Sequence, residues 1–297
     1  MAADAAAPPI DASGGPMDGS LGARDGSGDE PLDDAANADA PGAQLDAASD
    51  VPGEASSGDA SSTDAGPVSD LYALAFDGSK TYVDCGVVPI PADFTIEAWV
   101  HPTGFNGETY MLAEDERGYS QGQFRFGFIA SGQLFFYMTD ATGRDNGLYT
   151  GQYNLVSSSP VTSNAWSEVA VTKSGAFFTL FIGGTTVAAF QASAPFSYAS
   201  GMQLPLRIGS RVAANGTGPD GVFAGVIDEV RLWKTARTQA QIQGAMHAEV
   251  PSTDPAWSTL QDYWPFDEGK GTTTADRSGG HPGTLVGGPS WVTTVPF

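Results

Sequence analysis

The first 70 residues contain no phenylalanine, tryptophan or tyrosine and only one basic residue, Arg24. All aromatic residues of the chain lie at or after Tyr72, whereas residues 1–70 carry 15 acidic residues against one basic residue, a net charge of −14. A segment of this kind cannot bury enough apolar surface to offset the entropy that it would lose on ordering. The sequence therefore predicts a disordered, acidic linker rich in Ala, Asp, Gly, Ser and Pro over residues 1–70, followed by one folded domain over residues 71–297.

Cysteine, histidine and basic residues are also scarce, and each scarcity excludes a class of function. The single cysteine, Cys85, excludes an intramolecular disulfide, and neither paired cysteines nor a His-x-x-x-His spacing supports a zinc site. Residues 71–297 carry 20 acidic and 12 basic residues, whereas nucleic-acid recognition needs clustered Lys and Arg. No apolar run approaches the roughly 18 residues that span a bilayer. We expect Cys85 to be a small, half-buried strand residue, with a reactive or cross-linking thiol as the alternative.

From Leu71 onward, apolar residues recur with a period of two, which is typical of β-strands that face a core on one side. Segments with this pattern are 94–101, 124–129, 133–139, 167–173, 177–182 and 222–233. Turn-forming pairs separate such segments, namely Asp77-Gly78, Asn106-Gly107, Asn146-Gly147, Gly183-Gly184 and Asn215-Gly216. Many short strands with this punctuation predict an all-β sandwich or barrel.

One short helix is predicted after the last long strand. Thr238 followed by Gln241 three residues later is a capping box, which marks the first turn of a helix. Ile242 and Met246 lie one turn apart, so they share a face. We expect this helix to pack on the rim of the β-structure.

Nine sequence blocks, in order, resemble a laminin-G-like domain of the concanavalin A-like lectin/glucanase superfamily. The blocks are 74–78, 82–84, 94–100, 166–172, 206–209, 225–233 (leading into 236–238), 263–269, 281–285 and 291–292. The resemblance implies a two-sheet antiparallel jelly-roll sandwich. The sequence departs from the family at Gly183-Gly184, where an Asp-Gly turn is expected, and after Trp166, where members usually have histidine. This fold carries lectins, adhesion modules and hydrolases alike, so it leaves the function open.

The paired carboxylates that glycoside hydrolysis needs are not evident in the sequence. The Glu-x-Asp-x-(x)-Glu pattern of the superfamily's glucanases is absent, because no Glu-x-Asp occurs in the chain. Glu114 and Glu116 are two residues apart, but they lie next to Gly118 in a predicted loop. The three histidines lie near a strand end, a helix end or a turn, and their positions do not support a catalytic triad. We therefore expect a domain without catalytic activity.

Calcium is the metal that the resemblance favours. Asp77, in the Phe-Asp-Gly turn, and Asp228 match positions that related domains use for a structural calcium ion between the N-terminal and C-terminal parts. Carboxylates at turns and strand ends are suitable ligands, because calcium binds six to eight oxygen atoms. The alternative is that both residues cap turns or pair with Arg207 or Arg231.

Sugar recognition uses aromatic platforms together with polar groups that hydrogen-bond to hydroxyls. Several residues that offer these groups lie in or near predicted loops. The ligand-binding candidates are Tyr110, Glu114, Asp115, Tyr119, Arg125, Asn146 and Tyr149. The acidic loop 114–116, together with Asp140 or Asp145, is also a candidate for a second calcium ion that faces the ligand.

These observations predict a non-catalytic extracellular domain that binds a glycan or a cell-surface protein and holds a structural calcium ion. An accessory or degenerate module of a polysaccharide-acting enzyme and a structural adhesion module are the alternatives. The linker resembles the spacers that follow the lipidated cysteine of bacterial surface lipoproteins, which implies a bacterial surface location with the export signal removed. A cytosolic chain that starts at Met1 as it stands is the other explanation.

Overall fold

A computed structural model of the chain describes residues 71–114, 124–139, 155–192, 204–213, 216 and 218–297. The predicted disordered linker over residues 1–70 lies outside these residues. Eighteen strands, numbered β1 to β18 along the chain, and one α-helix make up most of the described part. Its helical segments are too short to cross a membrane.

The first sheet contains eight antiparallel strands. They are β1 (Ala73–Asp77), β3 (Phe94–Pro102), β8 (Ser167–Ser174), β9 (Phe177–Ile182), β10 (Thr185–Gln191), β14 (Ala224–Trp233), β15 (Leu260–Trp264) and β18 (Ser290–Val292). Their order across the sheet is β10-β9-β8-β3-β14-β1-β18, and β15 also pairs with β14. The N-terminal and C-terminal ends of the domain meet in this sheet, because β1 lies between β14 and β18.

The second sheet also contains eight antiparallel strands. They are β2 (Tyr82–Asp84), β4 (Thr109–Glu114), β5 (Phe124–Phe128), β6 (Gln133–Met138), β7 (Val156–Pro160), β11 (Arg207–Ile208), β16 (Thr273–Thr274) and β17 (Gly283–Val286). Their order is β16-β17-β2-β11-β4-β5-β6-β7. A separate two-stranded hairpin, β12 (Arg211–Val212) and β13 (Pro219–Asp220), follows β11 directly.

The two sheets enclose one main hydrophobic core. Phe136 of the second sheet contacts Phe94 and Phe178 of the first, with ring centroids 6.0 Å apart in both pairs. All three rings are fully buried. Along β5, Phe124 and Phe126 point into this core while Arg125 points outward, as the period-two pattern predicts. The predicted all-β sandwich of two antiparallel sheets is therefore confirmed.

The predicted helix is confirmed as α1 (Gln239–Ala245). The Thr238 hydroxyl accepts the Gln241 N–H at 3.3 Å, and the Gln241 side-chain oxygen accepts the Thr238 N–H at 2.8 Å. These reciprocal bonds satisfy two N–H groups that a helix start otherwise leaves without partners. Ile242 is fully buried in a small cluster with Ala170 and Phe181, so α1 covers part of the outer face of the first sheet.

Charged side chains are buried on the same outer face. Glu229 is 1% exposed, adopts a left-handed backbone conformation (φ 53°) and interrupts the regular pairing of β14. Its carboxylate accepts the Tyr263 hydroxyl at 2.7 Å and forms a close ion pair with Arg231. Glu97 forms a second ion pair with Arg237 at 2.9 Å. The segments that cover this face therefore contact it through ion pairs as well as through apolar side chains.

Candidate functional site

A polar cavity of about 270 Å³ opens at one rim of the sandwich. Three segments line it: residues 78–79 in the turn after β1, residues 104–109 before and at the start of β4, and residues 219–224 after the β12–β13 hairpin. Glycines form part of the wall, at Gly78, Gly104 and Gly221. An adjoining cavity of about 310 Å³ is lined by Glu108, Tyr110, Arg211, Asp220 and Gly221. We call these five residues the rim site.

The hairpin places two charged residues of the rim site opposite each other. Arg211 and Asp220 are partners in the β12–β13 ladder. The Nε and Nη2 atoms of Arg211 donate to Asp220 Oδ2 at 3.0 Å and 2.8 Å. Because the Arg211 side chain is only 8% exposed, this charge-assisted pair is fixed in place rather than mobile in solvent.

Tyr110 connects the hairpin to β4. Its ring lies under the Arg211 guanidinium, 4.9 Å from the ring centroid, and its hydroxyl donates to Glu108 Oε2 at 2.6 Å. Tyr110 is 1% exposed, and burial raises the pKa of its hydroxyl, although the Arg211 charge opposes this. The hydroxyl therefore stays protonated and continues to donate to Glu108 over the physiological pH range.

Gly221 allows the hairpin to approach β4 closely. Its carbonyl accepts the Tyr110 N–H at 2.9 Å, and its backbone is left-handed (φ 59°). A Cβ atom at this position would lie 2.1 Å from the Tyr110 ring, which is far inside van der Waals contact. Only glycine fits here, for both reasons.

Arg207 supports the hairpin from the second sheet. Its Nη1 atom donates to the carbonyl oxygens of Gly218 at 2.8 Å and Arg211 at 3.3 Å, one on each side of the hairpin. Its guanidinium lies over the Tyr82 ring, 4.2 Å from the centroid, and Asp84 is 3.8 Å from its Nε atom. Arg207 therefore holds Arg211 and Asp220 in position without lining the cavity itself.

Of the seven predicted ligand-binding residues, the structure places Tyr110 in the rim site. Arg125 lies on the same outer face of the second sheet: it is two residues from Gly127, the partner of Tyr110 on β5, and its guanidinium lies over the Tyr137 ring. Glu114 is fully buried at the end of β4, opposite Phe124. The other four predictions lie outside the described residues: Asp115, Tyr119, Asn146 and Tyr149.

The two predicted calcium ligands lie apart. Asp77 is opposite Ala224 in the β1–β14 ladder, and Asp228 is four residues further along β14, about 13 Å away at roughly 3.3 Å per residue. Calcium ligands lie within about 2.6 Å of the ion, so one ion cannot bind both. Asp77 Oδ1 instead accepts the N–H groups of Ser79 and Lys80 at 2.9 Å, which is the turn-capping alternative. Asp228 is fully buried, and its Oδ1 accepts the Glu229 N–H at 3.0 Å.

A mixed cluster of Asp262, Asp276 and His281 has donor atoms within 4.8 Å of one another, a spacing that could hold a metal ion. Hydrogen bonds already occupy these atoms. His281 Nδ1 lies 2.5 Å from Asp262 Oδ1. Asp276 accepts five bonds, from Tyr263 N, Ser278 N, Ser278 Oγ, Gly280 N and His281 N. The cluster therefore anchors the turn between β16 and β17 through its hydrogen bonds.

Sequence reasoning missed Glu108, Arg211 and Asp220. The available signal was the Asn215-Gly216 pair, which marks a turn between residues 211 and 220. That signal does not reveal that the hairpin contacts β4, about a hundred residues earlier in the chain. Cys85 was predicted to be a half-buried strand residue, but it directly follows β2 and is more deeply buried, at 4% exposed, with a free thiol.

Comparison with known proteins agrees with this fold. Residues 77–243, more than half of the chain, match the laminin-G-like model of the concanavalin A-like lectin/glucanases superfamily. The chain therefore belongs to that superfamily, as its sequence blocks predicted. No curated protein sequence matches the chain.

One similar solved structure supports the same fold. A candidate carbohydrate-binding protein from Bacteroides ovatus is 20% identical with a TM-score of 0.56, and the match covers 75% of this chain and 60% of that protein. The chain thus spans less than two thirds of that relative. A pentraxin from Limulus polyphemus is 12% identical with a TM-score of 0.46, covering 61% of this chain and 85% of the pentraxin. A CBM40 domain from the Ruminococcus gnavus IT-sialidase is 14% identical with a TM-score of 0.48, covering 59% of this chain and 98% of the domain.

Proposed function

We propose that this chain is a non-catalytic carbohydrate-binding domain and that the rim site is where the sugar binds. The observation that carries the proposal is a pair of adjoining polar cavities that share two carboxylates, with a guanidinium and a tyrosine in the lining of one and glycine in the walls of both. Fixed groups of this kind form the hydrogen bonds that recognise sugar hydroxyls. Membership of a superfamily of lectins and glucanases supports the same class of ligand.

The arrangement of the two carboxylates favours binding over hydrolysis. Hydrolysis needs one carboxylic acid that gives its proton to the leaving oxygen and one carboxylate that attacks or activates water. Asp220 is held by the Arg211 fork, and Glu108 accepts the Tyr110 hydroxyl. Both groups are thus arranged as acceptors for ligand hydroxyls, which a binding site requires.

Calcium and an extracellular location are further parts of the proposal. A structural calcium ion remains a prediction of the sequence, and Asp77 and Asp228 are now separate candidates for it because of their spacing. We propose presentation at a bacterial surface, which the resemblance of the acidic linker over residues 1–70 to lipoprotein spacers supports.

A glycan array probed with the full chain tests the proposal, first with calcium and then with a chelator. The array should identify a sugar family, and Asp220→Asn should weaken binding to it by about tenfold or more, since a charged hydrogen-bond partner is lost. Asp93→Asn is the matched control, because this substitution makes the same change of charge at an exposed position outside the rim site.

The outcomes separate the alternatives. Binding that disappears with the chelator supports the calcium ion, and binding that persists removes it from the proposal. Release of reducing sugar from the bound glycan, abolished in Glu108→Gln or Asp220→Asn, would identify an enzyme instead. An array without any binding would contradict carbohydrate recognition and leave a protein partner as the alternative.

A further inference from the structure

Among the described residues, two acidic side chains and one basic side chain line the two cavities. Asp220 neutralises Arg211 through the two-nitrogen fork, with distances of 3.0 Å and 2.8 Å. Arg207, behind the hairpin, has Asp84 at 3.8 Å as its counter-charge. Among the described residues, Glu108 accepts a hydrogen bond from the Tyr110 hydroxyl, which is neutral and does not offset the carboxylate charge. The lining side chains of the described residues therefore carry a net negative charge, with Arg125 as a nearby basic residue outside the lining.

We infer that the rim site takes an uncharged sugar and discriminates against acidic sugars such as uronic acids. This inference rests on the proposed function. A ligand carboxylate placed in the cavity would meet Glu108 and Asp220 at close range, where the surrounding protein screens charge less than water does. The Arg211 fork, the group best suited to receive that carboxylate, already binds Asp220.

The polar atoms of the cavity match hydroxyl groups. Carboxylate oxygens of Glu108 and Asp220 line it and act as acceptors for donating hydroxyls. Thr109 also lines the cavity, is 5% exposed, and has a buried hydroxyl without a hydrogen-bond partner among the described residues. A hydroxyl can both donate and accept, so Thr109 can pair with a sugar hydroxyl in either direction.

Each of the two adjoining cavities has room for about one sugar ring. Their volumes of about 270 Å³ and 310 Å³ correspond to about nine to ten water molecules each at roughly 30 Å³ per molecule. That space suits a single sugar ring with its hydroxyls. A uronic acid bound in either cavity would bring its carboxylate near Glu108 and Asp220, because these two residues line both cavities.

Matched pairs of methyl glycosides test the inference on the full chain. Each pair contains a neutral hexose and its uronic acid, for example methyl glucoside with methyl glucuronide and methyl galactoside with methyl galacturonide. Saturation-transfer NMR detects weak binding, and titration gives the affinities. In the pair that binds, we expect the neutral sugar to have an affinity at least tenfold higher than its uronic acid. This difference in affinity should narrow at high salt because salt screens the repulsion.

Variants assign the preference to the cavity. Glu108→Gln should reduce the difference in affinity between the neutral sugar and its uronic acid several-fold, because it allows the uronic acid to bind. Asp93→Asn should leave this difference unchanged. Equal or tighter binding of the uronic acid would overturn the inference while leaving carbohydrate binding in place. A difference that is unchanged in Glu108→Gln would also overturn it. If neither the array nor the glycoside panel shows binding, this would instead contradict the proposed function.

Discussion

Tyr263 donates a hydrogen bond to a buried carboxylate in the charge cluster on the outer face of the first sheet. The residue is fully buried, and its hydroxyl donates to both carboxylate oxygens of Glu229 at 2.7 Å. Arg231 is the other partner of Glu229. The Tyr263 hydroxyl therefore replaces part of the hydration that the Glu229 carboxylate loses on burial.

Tyr263→Phe should lower the free energy of unfolding by about 2 kcal/mol, because a buried carboxylate loses a donor while the ring volume is kept. Urea unfolding followed by tryptophan fluorescence measures the change. Tyr72→Phe removes a hydroxyl from a half-buried tyrosine and is the control. Equal stabilities of the two variants would show that Arg231 alone satisfies Glu229.

At the scale of elements, the β12–β13 hairpin is short and relies on its support. Each of its strands has only two residues. Two-stranded ribbons of this length are not stable on their own. The bonds from Arg207 to Gly218 and Arg211, together with the Tyr110–Gly221 bond, therefore determine where the rim site lies.

Arg207→Lys should weaken binding of the array-selected glycan by about tenfold, because a lysine amine cannot stack on the Tyr82 ring as the planar guanidinium does and so holds the hairpin less firmly. Calorimetric titration measures the affinity, and the unfolding temperature shows whether the fold is kept. Arg125→Lys is the matched control on the same sheet face. If Arg125→Lys weakens binding as much as Arg207→Lys, the ligand extends across the outer face of the second sheet, as the original prediction for Arg125 implied.

The elements themselves were largely predictable. Strand β9 (Phe177–Ile182) agrees with its predicted range, and α1 begins at the predicted capping box. These features depend on residues close in sequence, where periodicity and capping operate. The rim site was predictable only at Tyr110, because Glu108 and Asp220 come together through the packing of distant segments. The two predicted calcium ligands, Asp77 and Asp228, were chosen by their positions along the sequence in the family resemblance. The register of β1 against β14 places them apart.

At the scale of the whole molecule, burial of acids controls how stability depends on pH. Glu168 is 2% exposed, and burial, with the Glu97 charge nearby, raises its pKa from 4.5 to about 8. Burial likewise raises the pKa of Asp262 from 3.8 to about 6, although the bond to His281 opposes it. In the opposite direction, bonds from Lys80 and Ser79 lower the pKa of Asp77 against a burial effect.

The sign of each contribution follows from linkage. Groups with a raised pKa stabilise the fold fully below their ordinary values, and this stability is lost as the pH rises towards 6 for Asp262 and 8 for Glu168. A lowered pKa, as in Asp77, contributes stability above about pH 4 that is lost in acid. The fold should therefore be most stable in mildly acidic solution.

Urea unfolding at pH 5, 7 and 9 should show a falling free energy of unfolding, by at most about 1.4 kcal/mol per pH unit for each group with a raised pKa. Glu168→Gln keeps the bond to the Gly184 N–H without a titrating acid, so its curve should be flatter than that of the wild-type chain. Parallel curves for the two proteins would show that Glu168 titrates near its ordinary value.

The close contact at Gly221 offers a way to read other members of the superfamily. A side chain at this position would collide with the Tyr110 ring, so the hairpin can rest on β4 only while the pair of glycine and tyrosine is kept. Relatives that carry both residues at the corresponding positions should have inherited the same cavity wall. Relatives with a bulkier residue in place of the glycine should have lost it, and their ligand specificity should have diverged even where the rest of the sandwich is unchanged.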